Sequence, residues 1–374
     1  MSRSIKVKPE IPTKPVPRLP GLDVLRLGAA LLVVVYHFGF RGGLNGEFLN
    51  FSLFQVGSWV QYFYFGVQLF FIISGFVILW SAESKNWFDF GIARFLRLWP
   101  AYMICVSITA IVFVWADNPL FETSISHWLA NLTFFAPAFG QGFMDGVYWT
   151  IVLELIFYFW VMAALWAKLL PRFIHEFCLS WMLIIVINEF WVQSDILEKV
   201  LITKHGVWFI IGILMYSLWS RGKSAMTGLL LATAVAMSTV MAVIEHMEIA
   251  TQYGYSVEFL RPVIANCTVV GLTTVAIALD NRLPGGRLVF VLGGLTYPLY
   301  LIHQNVGYIV ITELKHDFGD LQAVAFTTIA MLIVSALIFW FWERPMGQVL
   351  KKLVMKTGTS TGKYWWGATR RTAQ

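Results

Sequence analysis

The sequence has few charged residues for its length. Only 13% of its 374 residues are charged and 58% are hydrophobic, whereas soluble domains carry about a quarter charged residues. This composition excludes an ordinary soluble domain and predicts an all-α polytopic membrane protein that is embedded in a lipid bilayer.

Cysteine is also scarce. Cys105, Cys178 and Cys267 lie in apolar stretches, without the spacing of metal ligands or of a disulfide framework. We therefore expect three core residues and no metal site. The net charge of +6 does not indicate nucleic-acid binding, because the basic residues flank apolar segments and form no patch with interleaved aromatic residues. Membrane orientation explains these charges better.

Apolar runs long enough to cross a hydrocarbon core of about 30 Å predict about ten transmembrane helices. They lie near 22–40, 62–81, 100–116, 147–166, 177–194, 205–220, 226–244, 259–279, 288–311 and 322–342. If the amino terminus is cytoplasmic, the lysines and arginines on the outer side are only Arg41, Lys199, Lys204, Arg261 and Lys315. This asymmetry places both termini in the cytoplasm.

The chain shows three regions. Residues 1–20 are polar and rich in proline, and they lack an apolar segment with a cleavage site, so they are predicted to form a disordered cytoplasmic lead. Residues 21–346 form the transmembrane domain and residues 347–374 a basic cytoplasmic tail. The longest external connection, Ala116 to Gly146, has no lysine or arginine but several aromatic residues. It lies against the outer membrane surface or covers a cavity.

Two ionisable residues, Arg26 and His37, lie inside the first apolar segment. Such groups are costly in hydrocarbon unless they face a protein interior or a water-filled cavity, so they are candidates for a functional site. Eleven residues of helix place the two side chains within roughly 20° of each other around the axis and about 16 Å apart along it. One helix face therefore carries two polar positions across the membrane.

Six short motifs follow one another along the chain, the first being the Arg26 and His37 pair. The others are Gly66-Val67-Gln68-Leu69-Phe70-Phe71-Ile72-Ile73-Ser74-Gly75-Phe76, Arg94-Phe95-Leu96-Arg97-Leu98-Trp99-Pro100-Ala101-Tyr102, Trp149-Thr150-Ile151-Val152-Leu153-Glu154, Tyr297-Pro298-Leu299-Tyr300-Leu301-Ile302-His303 and Glu343-Arg344-Pro345. In this order they resemble the acyltransferase 3 family of integral membrane proteins over roughly residues 20 to 346. One departure is Gln68, where many members carry aspartate, so we assign no proton-transfer role to that position.

The resemblance implies an enzyme that O-acylates sugars of lipopolysaccharides, exopolysaccharides or other glycoconjugates, with acyl-coenzyme A as co-substrate. The bacterial inner membrane is the expected location. Such a reaction needs a general base for the acceptor hydroxyl, and His37 is the best candidate because an imidazole exchanges a proton near neutral pH. A histidine held by a neighbouring helix is the structural alternative. Arg26 suits a phosphate, because a guanidinium stays charged and binds two oxygens; a salt bridge to Asp23 is the alternative.

Further candidates come from the later motifs. Arg94 and Arg97 share a face just before the third span and either anchor the helix at the cytoplasmic side or bind the phosphates of coenzyme A. By the resemblance, Tyr102 joins them as a coenzyme-binding residue. Glu154 has no basic residue in its own span, so we predict that it faces a polar cavity and acts catalytically, by orienting an imidazolium or binding acceptor hydroxyls; a purely structural hydrogen bond is its alternative.

The acceptor side is predicted from aromatic and polar residues. Trp149 offers a flat apolar face to a sugar, while Tyr300 and His303 lie one turn apart on one face of the ninth span and line the same cavity or make helix-packing hydrogen bonds. Ser74 is a candidate nucleophile, although Ser74-Gly75 more simply allows two helices to approach closely. Glu343 and Arg344 at the last helix exit suggest a local ion pair.

The sequence therefore predicts a membrane O-acyltransferase that takes an acyl group, by default acetyl, from cytoplasmic acyl-coenzyme A. The acceptor is a sugar hydroxyl of a glycan or glycolipid at the outer half of the membrane. A glycan transporter or flippase is the alternative class, since intramembrane Arg, His and Glu also suit proton-coupled transport. The acceptor sugar, the acyl group and the oligomeric state are left open.

Overall fold

A computed structural model of the protein describes residues 19–46, 48–49, 58–282 and 286–356. Its secondary structure is entirely helical across those ranges, which confirms the predicted all-α class. The fourteen α-helices in them are α1 (Pro20–Gly39), α2 (Phe65–Glu83), α3 (Trp87–Ala116), α4 (Ile125–Asn131), α5 (Tyr148–Trp166), α6 (Ile174–Ile187), α7 (Asp195–Leu201), α8 (Gly206–Arg221), α9 (Ala225–Tyr253), α10 (Leu260–Ala278), α11 (Arg287–Ile302), α12 (Gln304–Phe318), α13 (Asp320–Ile338) and α14 (Arg344–Lys356).

Nine helical stretches within the described ranges are long and apolar enough to cross a membrane. They are Pro20–Leu44, Val60–Glu83, Trp87–Ala116, Tyr148–Trp166, Ile174–Val192, Asp195–Arg221, Ala225–Tyr253, Leu260–Ala278 and Asp320–Val354. The shorter apolar helix Arg287–Ile302 lies in the remaining predicted span, so nine of the about ten predicted spans are matched at a membrane-crossing length. Most of the predicted lead and most of the predicted tail, residues 1–18 and 357–374, lie outside the described residues.

The ninth predicted span, 288–311, is interrupted at His303 instead of running on as one helix. The imidazole Nδ1 of His303 lies 3.2 Å from the carbonyl oxygen of Leu299 and 2.8 Å from that of Tyr300. On the other side of the interruption, the backbone N–H of Asn305 donates to Asp145 at 3.0 Å. Side chains thus replace part of the regular backbone pairing, which is what membrane proteins require where a helix is broken at membrane depth.

The third helix begins much earlier than predicted. Its N-cap is Asn86, whose side chain accepts a hydrogen bond from the backbone N–H of Asp89, so α3 runs for 30 residues from Trp87. Arg94 and Arg97 therefore lie within this helix and not before it. The first turns of the helix carry charged residues, so they do not appear as an apolar run. The N-cap residue is the local signal that marks the start of the helix.

The second and eighth helices pack unusually closely. A Cβ added at Gly75 would lie 2.1 Å from the backbone oxygen of Phe209, and one added at Gly212 would lie 2.0 Å from that of Ile72. Only glycine fits at these two crossing points, as is common where membrane helices meet. The interpretation of Ser74-Gly75 as a site of close helix approach is confirmed.

The connection between α3 and α5 packs against the ends of the helices. The Phe134 ring stacks on Tyr102 with centroids 4.2 Å apart, and Phe121 stacks on Phe48 at 5.7 Å. Asp145, near the end of this connection, is fully buried. Cys267 is exposed, so the prediction of a core position is wrong for this cysteine; one face of α10 is simply left uncovered by the described chain.

Candidate active site

The residues His37 and His303 form a pair at the junction of α1, α11 and α12. His37 Nδ1 lies 3.0 Å from His303 Nε2, and the two rings meet edge to face with centroids 4.9 Å apart. His303 is buried and His37 is half-buried. The two predicted site histidines, 266 positions apart in sequence, therefore lie in direct contact.

The hydrogen bonds of this pair define its tautomers. A carbonyl oxygen can only accept, so His303 Nδ1 carries a proton and donates it to Tyr300. The neutral His303 ring then presents a lone pair at Nε2, which accepts from Nδ1–H of His37. That same Nδ1–H also lies 2.9 Å from the carbonyl oxygen of Val33. Nε2 of His37 is consequently left unprotonated, which is the state a general base needs.

Tyr300 links the histidine pair to α5. Its hydroxyl lies 2.8 Å from the hydroxyl of Thr150, and its ring centroid is 5.7 Å from that of His303. Thr150 precedes Glu154 by one helical turn, so both residues share a face of α5. The structure thus brings Tyr300 and His303 together, as predicted, and connects them to the helix that carries Glu154.

Glu154 is the centre of a second hydrogen-bonded group. Ser74 of α2 donates to its carboxylate at 3.3 Å, and the hydroxyl of Tyr158 donates to the same oxygen. His303, and not Glu154, is the residue that orients the imidazole of His37. The catalytic role of Glu154 stays a prediction. Of the two catalytic roles predicted for it, binding of the acceptor hydroxyls is the one that is left.

The predicted arginines are held in three different ways. Arg26 makes an ion pair with Asp23 at 3.2 Å, which is the alternative considered for it. Arg97 is paired with Glu343 of the last span. The expected local pair of Glu343 with Arg344 is therefore wrong, because adjacent residues of a helix point in different directions.

Arg94 differs from the other two arginines. Its Nη2 donates to the hydroxyl of Ser81 at 3.2 Å, while its buried Nε has no hydrogen-bond partner. Arg26 and Arg97 both lie close enough to repel it electrostatically. The three cations therefore gather near one end of the helix bundle, and of the three Arg94 is the one with a buried donor that has no partner.

Two predicted site residues lie elsewhere. Tyr102 packs against Phe134 and, at 5.0 Å between centroids, against Tyr148, beneath the α3–α5 connection. Trp149 is exposed and lies beside the ring of His205 at 5.2 Å. Their coenzyme-binding and sugar-binding roles stay predictions, without a contact to Arg94 or to the histidine pair that supports them.

Asp145 is a residue of this site that the sequence reasoning missed. Its carboxylate accepts from the backbone N–H groups of Asn305 at 3.0 Å and of Val147 at 3.1 Å, so it joins the starts of α12 and α5. Burial raises the pKa of Asp145 from 3.8 to about 7, against the opposing effect of these two hydrogen bonds. An aspartate just before an apolar helical run is a helix-start signal, and it could have been recognised here.

Comparison with known proteins adds an independent line of evidence. Residues 19–340 match the family model described as an acyltransferase domain, acyltransferase 3. The chain is 29% identical over 149 residues to the O-acetyl transferase of Shigella phage Sf6, which covers 36% of this chain and 43% of that protein. It is 32% identical over 112 residues to the putative peptidoglycan O-acetyltransferase YrhL of Bacillus subtilis (strain 168), which covers 28% of this chain and 15% of that protein.

These alignments cover less than half of either relative's length, 43% of one and 15% of the other. No solved structure matches the chain. The family assignment therefore rests on the match over residues 19–340, and the names of the relatives support O-acyl transfer as the reaction class.

Proposed function

The chain belongs to the acyltransferase 3 family and is a membrane O-acyltransferase, and we propose that it moves an acyl group, by default acetyl, from cytoplasmic acyl-coenzyme A to a sugar hydroxyl of an exported or cell-surface glycan. The observation that carries this proposal is the contact between His37 and His303. It supplies a general base whose proton-accepting nitrogen is free. The relatives, a phage of Shigella and Bacillus subtilis, support a bacterial cytoplasmic membrane as the location.

The proposed reaction uses His37 as base and then as acid. Nε2 of His37 takes the proton of the acceptor hydroxyl while the hydroxyl oxygen attacks the thioester carbonyl carbon. The resulting imidazolium keeps its Nδ1–H bond to His303 Nε2, which stabilises the positive charge. The tetrahedral intermediate collapses, the carbon–sulfur bond breaks, and the thiolate of coenzyme A takes the proton from Nε2. The ring returns to its starting state.

The proposed donor site lies around Arg94, at a distance from the base. α1 is continuous from Pro20 to Gly39, so the rise of about 1.5 Å per residue separates Arg26 from His37 by about 16 Å. Arg94 lies at the Arg26 end, since the two guanidinium groups repel each other. Phosphates bound there would leave a pantetheine arm to span the distance to His37. This separation is why we propose a donor and an acceptor on opposite sides of the membrane.

The proposed orientation places both termini in the cytoplasm and follows from the distribution of basic residues. It can be tested with vesicles in which the orientation of the protein is known. Radiolabelled acetyl-coenzyme A given only on the side of the amino terminus should label a glycan confined to the opposite side. Vesicles with the His37→Ala variant serve as the control and should transfer no label.

Two other outcomes would change the proposal in different ways. Acetylation only when donor and glycan share the amino-terminal side would refute transfer across the membrane while retaining the enzyme. Movement of unmodified glycan across the membrane, without acetyl transfer, would favour a transporter.

A further inference from the structure

Lys85 and Ser81 lie beside Arg94 at the junction of α2 and α3. Nζ of Lys85 donates to the hydroxyl oxygen of Ser81 at 2.8 Å, and Nη2 of Arg94 donates to the same oxygen at 3.2 Å. One hydroxyl oxygen thus accepts hydrogen bonds from two cations, one in the loop between α2 and α3 and one within α3. Neither cation forms a salt bridge with a carboxylate in the described part of the chain.

The acidic residues nearest to this pair have other partners. Asp89 attracts Lys85 electrostatically, but its carboxylate accepts from Asn86 at 2.9 Å. Glu154 attracts Arg94 and accepts from Ser74 and Tyr158.

Glu83, two residues before Lys85, accepts from Tyr216 at 2.6 Å and from Arg221 at 3.0 Å. The two cations therefore repel each other, and neither forms an ion pair with these carboxylates in the described part of the chain. Partial burial and, after it, repulsion by Arg94 lower the pKa of Lys85 from 10.5 to about 8, against the attraction of Asp89.

The cluster keeps several unused donors. The Ser81 oxygen accepts from both cations, so its own proton is free to donate to a ligand. Nε of Arg94 is buried and has no partner, and the Nζ of Lys85 has three N–H bonds of which Ser81 takes at most two. An ammonium, a guanidinium and a hydroxyl within hydrogen-bonding distance of one another match the oxygens of a phosphate.

We propose that Lys85 and Ser81 complete, together with Arg94, a binding site for a phosphate group of the nucleotide thioester donor. The inference rests on the proposed function, because it names residues of the donor site that the sequence motifs do not contain. A bound phosphate would give both cations the direct ion pair that neither forms with a carboxylate in the described part of the chain. Anionic lipid headgroups carry the same chemical group, so the test separates the two sources.

The test measures binding to the full-length protein in phosphatidylcholine nanodiscs by isothermal titration. The ligand is S-methyl coenzyme A, which has neither a titrating thiol nor a transferable acyl group, and its 3′-dephospho form shows which phosphate is bound. Lys85→Ala should weaken binding at least about tenfold, since a hydrogen bond to a charged group contributes more than one between neutral groups. Ser81→Ala should weaken it less. Lys223→Ala, an exposed lysine in the loop after α8, should leave it unchanged.

The pH dependence provides a second readout that a merely structural role would not change. Lys85 loses its charge as the pH rises through about 8, so wild-type affinity should fall between pH 7 and pH 9. Lys85→Arg keeps a charge over this range and should remove the fall. Thermal unfolding of each variant checks that it is folded.

Three results would overturn the inference. If Lys85→Ala binds like wild type while Arg94→Ala binds weakly, Arg94 acts without Lys85. If Lys85→Ala changes binding only in nanodiscs that contain phosphatidylglycerol, the ligand is a lipid headgroup. If wild-type protein fails to bind S-methyl coenzyme A at all, the proposed donor is wrong and the inference falls with it.

Discussion

The contact between His37 and His303 makes a quantitative prediction about transfer rate. Removal of a general base costs about 10² to 10⁴ in rate, or about 3 to 5 kcal/mol in the activation barrier. His37→Ala should therefore reduce the rate by at least about a hundredfold. His303 contributes one hydrogen bond, and Nδ1–H of His37 keeps a second acceptor in the carbonyl oxygen of Val33. His303→Ala should cost only about two- to tenfold, the range for one hydrogen bond.

The double variant sharpens this prediction. If His303 acts only through His37, the change His303→Ala should have no further effect in a protein that already carries His37→Ala. Residues that act as a unit show this lack of additivity. Two independent structural roles would instead give effects that multiply.

The assay is acceptor-dependent release of thiol from acetyl-coenzyme A by purified protein in nanodiscs. A glycolipid extract from cells of the source organism serves as acceptor, and release without acceptor is subtracted. His175→Ala, which removes a histidine bonded to Thr227 of α9, is the matched control and should keep the wild-type rate. A larger loss for His303→Ala than for His37→Ala would exchange the two roles. Wild-type rates for both would refute the assignment of the pair as the catalytic base.

Two further predictions concern Ser74 and Asp145. Ser74→Ala should keep most of the transfer rate, because Ser74 serves as a hydrogen-bond donor to Glu154; an acetyl adduct on Ser74, found by mass spectrometry after incubation with acetyl-coenzyme A, would contradict this. Burial raises the pKa of Asp145 from 3.8 to about 7. The folded protein therefore binds this proton more tightly than the unfolded chain does. The resulting stabilisation is fully present below the unfolded pKa and is lost as the pH rises through about 7. Thermal unfolding of wild type should therefore occur at lower temperature at pH 8.5 than at pH 5.5. Asp145→Asn should reduce this difference between the two unfolding temperatures. An equal difference in both proteins would show that other groups cause it.

The positions of the membrane-spanning helices could be predicted because each needs an apolar run of about 20 residues. The signal fails where charge or a break interrupts the run. The first turns of α3 carry Arg94 and Arg97, so the predicted span began near residue 100 instead of at Trp87. The interruption at His303 was missed for a related reason: hydropathy reports the environment of a segment and not the pairing of its backbone groups.

The candidate site was predicted in part. His37 was identified by its cost in hydrocarbon and His303 by its motif, but their contact joins residues 266 positions apart and follows only from helix packing. The same holds for Arg97 and Glu343. Asp145 was missed because it lies in a connection, where neither hydropathy nor helical periodicity applies.

The break between α11 and α12 explains why the base lies where it does. A regular helix at this depth would use the N–H of Asn305 in its own backbone ladder, and His303 would be an ordinary side chain on its surface. Asp145 takes that N–H instead, and on the other side of the break the carbonyl of Tyr300 accepts from the imidazole Nδ1 of His303. This bond holds the His303 tautomer that accepts from His37. Asp145 fixes the start of α12 at Asn305, two residues after His303, so Asp145 variants should change the rate of transfer more than the affinity for the donor, whose proposed binding residues lie at the other end of α1.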